Sequence, residues 1–137
     1  MRRIQILLAL TLTISVSLNL LAVPPAFAAP QADVANDQPV IQFPNTITFR
    51  AQITASANIT SVVLEYGTEQ LTCGEVIAKA FPEFTPGKSI DAQWTWDMRQ
   101  SGSLPPGATI WWRWRYIDEN GRETVSDQKS ITWLDDT

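Results

Sequence analysis

One segment, Leu104-Pro-Pro-Gly-Ala-Thr-Ile-Trp-Trp-Arg-Trp-Arg-Tyr-Ile-Asp-Glu-Asn-Gly121, constrains the fold of this chain more than any other. It opens on a proline-glycine turn, where glycine supplies the φ angles that other residues avoid. Ile110, Trp112, Trp114 and Tyr116 then fall on one side of an extended backbone, with Trp111, Arg113 and Arg115 on the other. Period-two alternation of this kind marks a strand buried on one face. Asn120-Gly121 closes the segment with the pair that best accepts the two positive φ values of a type I′ hairpin turn. Three of the six tryptophans of the chain lie in this stretch, so it supplies much of the apolar area available for a core.

The same alternation recurs along the chain. Pro39-Val-Ile-Gln-Phe43 reads as a short edge strand opened by proline. From Thr46, residues Ile47, Phe49, Ala51 and Ile53 share one face, and Thr48, Arg50, Gln52 and Thr54 the other. Ala55-Ser-Ala-Asn58 is expected to break this strand before Val62, Leu64 and Tyr66 line the inside of the next. Residues 75–81 fit either a short strand or a helical turn. Ile90, Ala92, Trp94, Trp96 and Met98 alternate with Asp91, Gln93, Thr95 and Asp97. A last strand is expected from about Glu123 to Trp133. Six or seven short strands with frequent turn signals and no amphipathic helix predict an all-β sandwich. Its core is expected around Trp94, Trp96, Trp112 and Trp114.

The amino terminus reads as a secretory signal. Arg2 and Arg3 precede an apolar run from Ile4 to Val23, and Pro24-Pro-Ala-Phe-Ala28 ends in Ala-x-Ala spacing. Cleavage after Ala28 places the chain outside the cytoplasm; the alternative is an uncleaved membrane anchor, since about 20 apolar residues span a bilayer. Residues 1–28 are therefore assigned to the signal, 29–38 to a flexible lead-in, and 39–137 to the sandwich domain. The chain ends at Trp133-Leu-Asp-Asp-Thr137, close to where the last strand is expected to stop, which fits both a complete protein and the front of a longer one. Without Arg2 and Arg3, eight basic side chains face fourteen acidic ones, a net charge of −6. That balance argues against nucleic acid or an anionic membrane as partner, both of which need a basic footprint. Cys73 is the only cysteine, so no disulfide within the chain can form.

The Leu104-Pro-Pro-Gly107 turn followed by alternating large residues and an Asn-Gly turn resembles the end of a fibronectin type III or related immunoglobulin-like domain. The resemblance implies strand A near 39–43, B near 46–55, C near 60–67, C′ near 75–81, E near 88–98, F near 109–118 and G near 123–133. Ile110 stands where that family usually places its corner tyrosine. A further resemblance spans nearly all of the chain beyond the signal. Phe43-Pro-Asn-Thr-Ile-Thr-Phe49, Phe84-Thr-Pro-Gly87, Trp94-Thr-Trp-Asp97 and Leu104-Pro-Pro-Gly107 look like a module of secreted Chloroflexi-type bacterial proteins, where it precedes a gluzincin-like zinc peptidase domain. That peptidase needs a His-Glu-x-x-His helix. This chain has no histidine, so the resemblance implies the accessory module without the enzyme.

With no histidine and one cysteine, the common zinc sites, the Ser-His-Asp triad and Cys-His nucleophiles are excluded. Asp91 and Asp97 share a strand face, but six residues at about 3.3 Å each separate them by roughly 20 Å, too far for either glycosidase geometry. Asp118 with Glu119, and Asp135 with Asp136, lack the Asp-x-Asp-x-Asp spacing of a calcium loop. No catalytic residue, metal site or cofactor is expected. The candidate binding residues are Trp111, Arg113 and Arg115, which place an aromatic ring and two guanidinium groups on the outer face of one strand. Two functions fit: a noncatalytic module contacting a protein or neighbouring domain, or a carbohydrate-binding module using Trp111.

Overall fold

A single strand of 23 residues, β3 (Thr46–Thr68), organises the molecule. The structure, a computed structural model, describes residues 33–69 and 77–135. The signal segment, Cys73 and the last two residues lie outside that range, as do residues 29–32 of the lead-in and 75–76 of the expected C′ segment. Among the described residues no helix is long and apolar enough to cross a membrane.

The first half of β3 pairs on one side with β1 (Asp33–Ala35) and β2 (Val40–Gln42), and on the other with β5 (Gly87–Asp97). Its second half pairs with β4 (Ala78–Ala80) and with β6 (Thr109–Asp118). The far side of β6 carries β7 (Glu123–Val125) and β8 (Lys129–Thr132). All pairs are antiparallel, and the sheet curls over β3 into two facing layers, an all-β sandwich. One short helix, α1 (Met98–Ser101), follows β5, with Asp97 as its N-cap accepting from the Arg99 amide at 3.0 Å.

The inward faces are those the alternation predicts. Ile47, Phe49, Ala51 and Ile53 of the first layer meet Val62, Leu64 and Tyr66 of the second, with Ile110, Trp112, Trp114 and Tyr116 from β6. Ring contacts cross the gap: Phe49 lies 6.0 Å from Tyr66 and 5.8 Å from Trp112, and Tyr66 lies 4.8 Å from Trp94. Of the four tryptophans expected to dominate the core, Trp112 and Trp114 are buried. Trp94 and Trp96 are only half-buried and flank it, because among the described strands β5 pairs with β3 alone. Trp133, completely enclosed and 5.3 Å from Phe43, takes up part of that role.

Three local features differ from the sequence reading. First, Ala55-Ser-Ala-Asn58 does not end the strand. The residues remain within β3, and register shifts between Thr54 and Ser61 mark β-bulges where it passes from one layer to the other. Bulges bend a strand and raise its twist, so pairing survives the turn between layers. Second, the Asn120-Gly121 turn is not type I′: Gly121 has φ +77°, but Asn120 is not in the positive region. The Gly121 amide donates to the Asp118 carbonyl at 2.9 Å, and the Asp118 carboxylate accepts from the Asn120 and Arg122 amides. This is the three-residue hairpin loop closed by a glycine bulge, selected here by the aspartate side chain. Third, the strand expected from Glu123 to Trp133 is interrupted at residues 126–128, where the Ser126 hydroxyl accepts from the Trp114 amide at 2.9 Å.

The lead-in is the largest departure. Residues 33–35 form β1, and Asn36 has φ +53°, a left-handed conformation that asparagine tolerates. The kink sends Asp37 into the interior, where its side chain is 2% exposed. One carboxylate oxygen, Oδ1, accepts from the indole N–H groups of both Trp112 (2.7 Å) and Trp114 (3.0 Å). The other lies 3.2 Å from the Lys129 ammonium of β8. A segment with no apolar pattern is thereby fastened into the core by one charge.

Removing that charge strands two buried indole donors, whereas Lys129 is 42% exposed and keeps its bond to the Asp37 carbonyl. Asp37→Ala is expected to lower unfolding free energy by about 2–6 kcal/mol, from two buried indole N–H groups left without an acceptor. Asp37→Asn, which keeps one acceptor, is expected to cost about half as much. Urea denaturation followed by tryptophan fluorescence measures both, and equal losses would contradict this account. Gly121→Ala, forced to hold a positive φ, is expected to cost about 1 kcal/mol in the same assay.

Candidate functional site

The outer face of β4, β3, β6 and β7 gathers the charged residues of the second layer. Glu65 of β3 points outward yet is 3% exposed, because longer side chains close over it. The Arg113 Nε donates to it at 2.7 Å and the Arg115 Nε at 3.1 Å, both from β6. Lys79 of β4 lies 3.6 Å away, and Arg115 also pairs with Glu123 of β7. Five charged side chains thus form one chain of ion pairs across four strands. Register explains it: Glu65 is the direct partner of Arg113 and of Lys79, and Arg115 is two residues from Arg113 on the same face.

Burial would raise the Glu65 carboxyl, but the hydrogen bonds from Arg115 and Arg113, with their charge, outweigh it and hold the group down to about 2. The Glu65 contact in turn raises Arg115. At the neighbouring hairpin, the Arg122 amide, working against burial, leads the hydrogen bonds that lower Asp118. These carboxylates are ionised and committed to partners. Such groups hold structure well and make poor general acids.

Of the three residues singled out from the sequence, Arg113 and Arg115 sit on this face, partly exposed and paired through Glu65. Trp111 is on the face that the alternation assigned to it, and there it is 4% exposed. Its register partners are Gly67 of β3 and Ser130 of β8. Trp111 lies outside the main core cluster. A ring this covered offers no stacking platform to a sugar. The apolar surface lies elsewhere: Phe81, two residues beyond Lys79, is 71% exposed, and Val125 of β7 is also exposed. Continuing the β4 register by one residue places Phe81 opposite Val63, which in turn pairs with Arg115, the partner of Val125.

Among the described residues, no group of three or more His, Cys, Asp or Glu side chains is placed to hold a metal ion. Fold and face together define a β-sandwich whose second layer presents arginines and scattered apolar groups outward. No protein-family model matches the chain, and no curated protein matches it.

The Glu65 network carries a pH signature. Its folded-state pKa is depressed, so its stabilisation is complete above the ordinary value of 4.5 and disappears as pH falls towards about 2. The loss over that window is on the order of 3 kcal/mol. Glu65→Gln is expected to be less stable than wild type at neutral pH and to lose less on acidification. Melting temperatures measured from pH 7 to about 2 check both statements, and parallel acid profiles would contradict them.

Proposed function

We propose that this chain is a noncatalytic, extracytoplasmic immunoglobulin-like module that contacts a protein or a neighbouring domain. Its place is that of an accessory domain in secreted metallopeptidase-like proteins, the group its motifs resemble. The contact surface is the outer face of β4, β3, β6 and β7. The observation that carries this reading is Phe81, an aromatic ring largely in solvent at the edge of a fixed arginine-carboxylate array. Exposed aromatic and arginine side chains are the residue types enriched at protein interfaces. Here the arginines are already oriented by Glu65, so a partner would order few side chains on docking, which lowers the entropic cost of association.

A photoreactive phenylalanine analogue at position 81 is expected to cross-link a defined partner in material secreted by the source cells. The same analogue at Thr95, on the opposite layer, is expected to give no such product. Equal labelling from both positions would overturn the assignment of the face. Hydrolysis of peptide or glycoside substrates by the purified protein would overturn the noncatalytic assignment.

A further inference from the structure

The first layer has its own outer face, and its side chains behave differently from those just described. Arg50 and Gln52 of β3 stand directly opposite Gln93 and Asp91 of β5. The kinked segment between β1 and β2 brings Asn36 and Gln38 alongside them. Together these six residues line an open groove of about 440 Å³, with Val40, an exposed apolar side chain, at its rim. That volume lies within the range of small-molecule sites, about 300–1,000 Å³.

What sets the groove apart is that its polar groups are unspent. Among the described residues, Arg99, Arg113, Arg115 and Arg122 each have a carboxylate partner. Arg50 has none, although Asp91 is on the adjacent strand. The side chains of Gln52, Asp91 and Gln93 likewise make no hydrogen bond among the described residues, whereas their neighbours Thr48 and Thr95 bond to each other at 3.0 Å. The groove is also anchored from beneath. Asn36 and Gln38 flank Asp37, whose carboxylate is held by Trp112 and Trp114.

The geometry points to a second binding site, for a neutral saccharide, in this groove. The argument is one of complementary functional groups. A vicinal diol offers two oxygens, each both donor and acceptor. A guanidinium donates to such a pair, a carboxylate accepts from it, and a carboxamide does one of each. Arg50, Asp91, Gln52 and Gln93 supply all three types side by side, and Val40 supplies an apolar contact for a ring C–H face. Acidic polymers fit less well, because the chain carries a net charge of −4 and one of the two charges in the groove is itself negative. This site is independent of the protein-contact face, which lies on the other layer.

With no aromatic platform in the groove, binding is expected to be weak, with Kd on the order of 0.1–1 mM. The test is a titration of the isotope-labelled protein with neutral hexasaccharides (β-1,4-glucan, β-1,3-glucan, xylan and mannan fragments), followed by nuclear magnetic resonance. At least one is expected to shift the side-chain amide signals of Gln52 and Gln93 and the Arg50 Nε–H, saturably. Arg50→Ala and Gln93→Ala, both exposed positions, are each expected to weaken binding roughly tenfold while leaving the melting temperature unchanged. The proposal is overturned if none of the four shifts these signals at about 10 mM. It is equally overturned if the shifts map to β6 and β7, or if an oligogalacturonate binds where the neutral sugars do not.

Discussion

The two layers of this sandwich are closed along one side by a carboxylate. Asp37 holds the indole N–H groups of Trp112 and Trp114 and faces Lys129, so the chain before β2 is joined to β6 and β8. The rest depends on this closure. Without an acceptor, two buried indoles would each carry an unpaired donor, a cost of about 1–3 kcal/mol apiece. A hydrophobic replacement could fill the space, but it could not tell the segment which way to lie. Asp37 specifies position as well as contributing energy, the role best attested for buried polar groups. The kink at Asn36 that delivers it also forms the wall of the first-layer groove.

Much of the fold was legible in the sequence because period-two alternation is a local signal. Ile47, Phe49, Ala51 and Ile53 could be assigned inward without knowing what they would meet. What could not be read depended on distant partners. Asp37 belongs to a polar stretch without periodicity, and its meaning comes from two indoles 75 and 77 residues away. Trp111 was assigned to the correct face, but no local signal shows that it is buried there. The type I′ expectation at Asn120-Gly121 failed because Asp118, just before the loop, competes for the same backbone amides.

The candidate sites divide in the same way. Arg113 and Arg115 were visible as outward cations on one strand. Glu65, which orients both, sits 48 and 50 residues earlier, and only strand pairing reveals the link. Phe81 follows a segment without clear alternation, so nothing local marks it as exposed. Arg50, Gln52, Asp91 and Gln93 each look like ordinary solvent-facing positions on a half-buried strand. They become a set only when β5 lies against β3, and notable only because none has a partner among the described residues. The two faces therefore contrast: one has used its charges to make a stiff surface, and the other keeps its polar groups free.

The continuous β3 has a consequence for how the molecule opens. In a sandwich whose layers share no strand, one sheet can loosen while the other persists. Here the strand at the centre of the first layer continues into the second through Ile59, which pairs with both Gly87 and Asp118. Neither layer can release β3 without disturbing the pairing of the other. Partial opening is thus confined to the periphery, at β1, β4 and the interrupted strip of β7 and β8. The β3 amides that bond to β5 and β6 are therefore expected to exchange with solvent together, as one cooperative unit, when the whole sandwich comes apart.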